Sequence, residues 1–85
     1  RMATAEEIVL RKLLNYCMSV DSSDVAGYSE YQRGHMHFMF IAIDVYDNFT
    51  YEEFLMPDSV PALANQTDEW YAGFNEARRD LGLPD

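Results

Sequence analysis

The sequence predicts an all-α fold, a small bundle of three longer helices at about 4–20, 29–48 and 67–81 with a short helix near 51–56. Apolar residues recur at helical spacing in the first and last of these segments. Three of the four segments open with a Ser or Thr followed three residues later by Glu or Gln. That reciprocal pair satisfies the backbone N–H groups a helix leaves unpaired at its start. The central segment is apolar at too many consecutive positions to alternate as a strand.

In residues 4–20, Val9, Leu13, Tyr16 and Val20 fall on one arc, with Leu10, Leu14 and Cys17 beside it. Glu7, Arg11, Asn15 and Ser19 lie opposite. Thr4 and Glu7 form the capping pair, and Glu7 to Arg11 is an ion pair one turn apart in the favourable order. Asp21, Ser22, Ser23 and Asp24 read as a polar stop, and Gly27 as a flexible joint. In 29–48 the residues Phe38, Phe40, Ile41, Ile43, Val45 and Tyr46 favour strands by propensity. Periodicity opposes them: at 100° per residue, Glu30, Arg33, His37, Asp44, Asp47 and Asn48 gather within about 100° of arc, which selects a helix capped by Ser29 and Gln32. The alternative is an α+β fold with a hairpin around 36–55, turning at Asp47-Asn48.

Thr50 and Glu53 start the short helix and Pro57 ends it, leaving 57–66 as a loop. Thr67 caps the last helix, in which Trp70, Phe74, Ala77 and Leu81 share a face. Asp68 and Glu69 in its first turn and Arg78 and Arg79 in its last match the helix dipole, and Gly82 and Pro84 close it. Gly34 and Gly73 each lie inside a helix, three residues after Tyr31 and Trp70. Such a glycine costs about 1 kcal/mol relative to alanine, so a close crossing of these two helices is expected.

A chain of 85 residues has room for one domain, 1–85. It is 48% hydrophobic and 14% aromatic, too apolar for a disordered acidic tail. A domain this small buries only about 60–65% of its unfolded surface, so a partner or a second copy is a common supplement. The single cysteine, Cys17, excludes an internal disulfide framework and suits a reducing, cytoplasmic setting. The longest apolar run, Phe38 to Ile43, is six residues against roughly 20 for a bilayer crossing, so no membrane association and no export signal are expected. Arg1 before Met2 reads as a cloning remnant.

Fifteen acids against six bases give a net charge of −9. The excess is local, because residues 34–77 contain no Lys or Arg while holding Asp44, Asp47, Glu52, Glu53, Asp58, Asp68, Glu69 and Glu76. A field of one sign repels phosphate backbones and attracts basic surfaces. Direct nucleic-acid binding is disfavoured, and a protein that handles nucleic acid is the natural partner.

No metal, cofactor or catalytic centre is expected. His35 and His37 are two residues apart and would point about 200° from each other on a helix, so they cannot share a metal. His35 reads as a core histidine, and His37 can pair with Asp44. Cys17 lies on the core arc, where apolar surroundings make a thiol inert. The acidic pairs Asp44/Asp47, Glu52/Glu53 and Asp68/Glu69 read as solvated charge. Phe40 sits inside the polar stripe of 29–48, as an interface anchor sits inside a polar rim, or else is core covered by a neighbouring helix. The expected partner-binding face runs from Asp44 and Asp47 through Glu52, Glu53 and Asp58, with Phe40 or Tyr51 as apolar anchor.

The leading expectation is a small acidic module that covers a basic surface of a larger protein. In size and charge it is similar to phage-encoded inhibitors of host defence, such as anti-CRISPR or anti-restriction proteins, and that resemblance implies an inhibitor of a nucleic-acid-handling complex. A second reading is an immunity protein that neutralises a nuclease toxin. In size, acidity and a short third helix the outline resembles colicin DNase immunity proteins, although Leu55-Met56-Pro57 stands where that family carries Tyr-Tyr-Pro. A third is a structural or regulatory homodimer that buries residues 36–46 against its twin.

Overall fold

The computed structural model describes residues 2–84; Arg1, read above as a remnant, lies outside them. The helices are α1 (Ala5–Ser19), α2 (Ser22–Val25), α3 (Glu30–Asn48), α4 (Tyr51–Phe54) and α5 (Asp68–Asp80). The fold is all-helical, with no strand among the described residues. Residues 36–48 are continuous helix, so the hairpin alternative is overturned. The periodicity that gathers the polar residues of this segment on one stripe outweighs its strand-favouring composition.

All three expected capping boxes form. The side-chain oxygens of Thr4, Ser29 and Thr50 accept from the backbone N–H groups of Glu7, Gln32 and Glu53, whose side chains accept in return from the cap residues' N–H. Thr67 caps α5 in the same way, through the Trp70 N–H. Helix α5 ends in a Schellman turn: Gly82 has φ of +80°, its N–H donates to the Arg79 carbonyl, and the Leu83 N–H donates to that of Arg78.

Helix α2 corrects the expected polar stop. Asp21 accepts from both the N–H and the hydroxyl of Ser23, which is the geometry of a helix start, and one turn follows. The turn is fastened from α3, where the Arg33 guanidinium donates to the Val25 and Ala26 carbonyls at 3.2 and 3.4 Å.

Helix α3 is the spine, packed chiefly by α5 and also by α1 and α4. The crossing of α3 and α5 is made by the two mid-helix glycines. A Cβ placed on Gly34 would collide with the carbonyl oxygen of Trp70 and stand 2.8 Å from its carbonyl carbon. One placed on Gly73 would meet the Tyr31 carbonyl in the same way, again 2.8 Å from the carbon. The backbones therefore touch, which only glycine permits at both points. Trp70 stacks on Phe74 at 5.3 Å, Phe74 meets Phe38 edge-on at 5.0 Å, and Thr67 reaches Glu30 at 3.4 Å. Phe38, Phe54, Phe74, Leu13, Leu81 and Val60 are the largest fully buried side chains.

Helix α1 contributes a narrow seam. Val9 and Leu13 are buried, Tyr46 on α3 donates to the Glu6 carbonyl, and Lys12 donates to the carboxylate and the carbonyl of Asp80 on α5. Cys17 corrects the expectation placed on it: it is exposed, as are Leu10, Leu14 and Met18. The packing reaches only the centre of α1's apolar arc, and among the described residues nothing covers its flank. Within 36–46, the segment expected to seek a twin, Phe38, Met39 and Ala42 are buried in the chain's own core and Phe40 is the one exposed apolar side chain.

Candidate functional site

Where α3 ends, the chain turns twice within a few residues, and the turn leaves a hollow. Asn48 closes α3 by donating from its side-chain amide to the Asp44 carbonyl at 2.7 Å. Phe49 follows in extended conformation, and Thr50 at once caps α4. A side chain held between a helix end and the next helix start has no core to enter, and Phe49 is 57% exposed. Helix α4 turns Phe54 inward to full burial, the Ser59 hydroxyl donates to the Phe54 carbonyl, and Val60 is buried just beyond. Met56, Pro57 and Asp58 are carried outward by the intervening turn.

The result is a groove of about 560 Å³. Val45, Phe49, Met56 and Pro57 give it an apolar lining, and the acidic residues Glu52, Glu53 and Asp58 complete it together with Ser59. Among the described residues, no His, Cys, Lys or Arg lines it. The volume falls within the roughly 300–1,000 Å³ of ordinary ligand sites. Chemically, the arrangement has room for one or two apolar side chains beside acidic residues.

The three carboxylates are not equivalent. Glu53 is fixed, accepting from both the N–H and the hydroxyl of Thr50 at 3.0 Å, and these two hydrogen bonds hold its carboxyl below the usual range. Glu52 and Asp58 are exposed. Their side chains are therefore the ones available to turn toward a partner's cation.

Of the residues expected on a binding face, Glu52, Glu53 and Asp58 come together at the groove. Asp44 and Asp47 are exposed on α3 but do not line it. Phe40 is 41% exposed and rests edge-on against Tyr16 at 5.9 Å, on another part of α3's surface. Tyr51 is half-buried between Tyr46 and Phe54, at 6.5 and 6.4 Å, which is a packing position. The apolar lining itself was not anticipated. The signal for it was Phe49, a large apolar residue caught between the end of one helix and the capping box of the next.

The histidines diverge as their spacing requires. His35 lies against Tyr16 of α1 at 5.5 Å, while His37 lies against Trp70 of α5 at 5.4 Å rather than beside Asp44. Both are half-buried, and burial pushes both below the ordinary value. The bases near the core are also committed elsewhere: Lys12 to Asp80, Arg33 to carbonyls of the α2 turn, and Arg78 over the Phe74 ring at 5.1 Å.

No protein-family model, no curated protein and no solved structure matches the chain.

Proposed function

We propose that the protein is a small acidic docking module that binds a basic surface of a larger protein through the groove at the α3–α4 turn. The observation that carries this reading is an apolar hollow lined in part by three acidic residues and, among the described residues, by no cation. Such a site favours an apolar side chain set among Arg or Lys, the composition of a surface that handles nucleic acid. Burial of the apolar side chain supplies affinity at about 25 cal/mol per Å² of apolar surface removed from water. The carboxylates supply orientation, fast encounter and salt sensitivity.

In this reading the module acts as an inhibitor. Its carboxylates occupy positions that phosphates would take and so compete with nucleic acid for the same arginines and lysines. The small acidic inhibitors of phage origin noted above are the general type. The net charge of −9 adds long-range steering toward a basic target without choosing the point of contact.

The test is comparative capture from nuclease-treated lysate of the source cell, with three baits: the native chain, Glu52→Lys/Asp58→Lys, and Phe49→Ala/Met56→Ala. A basic protein held by the native chain, released by high salt and lost with both variants is the expected result. Equal capture by all three baits would contradict the groove as the docking point.

A further inference from the structure

A second hollow lies about 20 Å back along α3, taking the fourteen residues from Val45 to Tyr31 at about 1.5 Å each. It measures about 220 Å³ and is lined by Tyr16, Tyr28, Tyr31, Gln32 and His35. Tyr16 comes from α1, Tyr28 from the turn after α2, and the others from the opening turns of α3. The Tyr16 and His35 rings stand 5.5 Å apart with their planes tilted by 45°, which makes a corner rather than a closed stack.

Size narrows the occupant. The volume lies below the roughly 300 Å³ at which sites for whole small molecules begin. A single head group fits it; a helix face or a nucleotide does not. Charge narrows it further, because aromatic faces present the negative end of their quadrupole and the chain carries −9. An anion is disfavoured and a compact cation is favoured.

The Arg33 guanidinium, next in sequence to Gln32, is held on the Val25 and Ala26 carbonyls and does not line the hollow. Burial pushes His35 down, so at neutral pH its ring is uncharged, although Asp80 acts weakly in the other direction. Lys12, one turn before Tyr16 on α1, has its ammonium on the Asp80 carboxylate at 3.1 Å and on the Asp80 carbonyl at 2.9 Å. Tyr16 is pushed up to about 12, first by burial and then by Tyr28 and Cys17, so it faces the hollow as a neutral phenol. A bare ammonium is strongly hydrated and loses more on entering such a site than an alkylated one, whose methyl groups also fill the space.

We propose that this tyrosine hollow binds an alkylated ammonium group, with trimethylammonium the best-fitting form. The proposal rests on different residues from the groove and does not depend on it.

The probe is tetramethylammonium chloride, titrated into the protein against sodium chloride at equal ionic strength and followed by the aromatic ring resonances of Tyr16, Tyr28 and Tyr31. Saturable shifts confined to these rings are expected. Tyr28→Ala should weaken binding about tenfold, equivalent to about 1.4 kcal/mol and within the range for losing one ring from a desolvated cation site. Tyr28→Phe, which keeps the ring, should retain it. Choline and a trimethyl-lysine peptide then distinguish a free metabolite from a modified protein as the source, the tighter of the two naming it. Equal shifts from the neutral isostere 3,3-dimethylbutanol would overturn the proposal. So would unchanged binding by a folded Tyr28→Ala variant, or the absence of saturable shifts in the native protein.

Discussion

Helix α3 carries two regions built on opposite rules. Near its start it meets α5 backbone to backbone, with Gly34 and Gly73 admitting no Cβ and Trp70, Phe74 and Phe38 sealing the contact. At its end it opens onto a groove where Phe49 and Met56 remain exposed, at 57% and 61%, beside Glu52, Glu53 and Asp58. The first contact is closed by the chain's own backbone and rings, whereas the second keeps large apolar side chains exposed beside the buried Phe54 and Val60. In so small a domain this division has a consequence: the groove end holds apolar surface that a second molecule can bury.

The largest effect that would break this comparison is a methyl group at the crossing. Gly34→Ala drives a Cβ into backbone rather than into a flexible side chain, and overpacking of this kind costs about 3 kcal/mol, well above the roughly 1 kcal/mol that alanine gains in helix propensity. The melting temperature should fall by at least about 10 °C. Gly73→Ala should behave alike. A melting temperature that held or rose in either variant would mean the helices are not in contact there.

The groove should respond in the opposite manner. Glu52→Lys with Asp58→Lys alters two exposed side chains and should leave the circular dichroism spectrum unchanged and move the melting temperature by no more than about 4–8 °C, since surface substitutions seldom exceed about 0.5 kcal/mol each. Affinity for a basic partner should drop by at least tenfold. Asp44→Lys with Asp47→Lys, on α3 outside the groove, should cost less affinity, and mainly in association rate. Equal losses from the two pairs would assign binding to diffuse charge and not to the groove.

Two smaller effects are read in pH. His37, packed on Trp70 and Phe74, is pushed down by burial, so the unfolded chain takes up its proton more readily than the folded one. Stability from keeping His37 neutral is present above the ordinary value of 6.5 and is lost as pH falls through the lower folded value. Native protein should therefore lose urea resistance relative to His37→Gln between pH 7 and 5, a difference that cancels the chain's overall charge. Glu53 is also depressed, by its hydrogen bonds to Thr50, so its capping contribution is present above 4.5 and is lost as pH falls through the lower folded value. Glu53→Gln keeps the capping box and should remove this step from the urea midpoint. Midpoint differences flat in pH would contradict both assignments.

The smallest effect concerns α1. Because Cys17 is exposed, Cys17→Ser should leave stability unchanged, and the thiol should react with a disulfide reagent in the native state without waiting for unfolding.

How much of this was legible in the sequence follows from how local each feature is. The capping boxes of Thr4, Ser29 and Thr50 are four-residue patterns, and each forms where it was read. The glycine crossing was legible because Gly34 and Gly73 have no reason to stand mid-helix unless another backbone is close. Cys17 was misplaced because a helical wheel shows which residues share an arc but not how wide a strip the neighbours cover. Tyr51, expected beside Phe40 as one of two possible anchors, is half-buried against Tyr46 and Phe54, contacts that depend on how α4 folds against α3. The groove could be read only in part. Its carboxylates are neighbours in sequence, while Val45 reaches it from α3 and Met56 and Pro57 from beyond α4, a meeting set by the turn between the helices.

The most direct test of the central claim is amide chemical-shift mapping with a peptide of alternating Arg and Leu, at physiological salt, beside a control of the same composition with Leu replaced by Ser. The account predicts saturable shifts centred on Val45, Phe49, Glu52, Met56 and Ser59 with the Leu peptide, and weak, scattered shifts with the control. Equal, scattered shifts over Asp44, Asp47, Asp68 and Glu76 with both peptides would contradict it, and would leave the protein an acidic surface without a docking site.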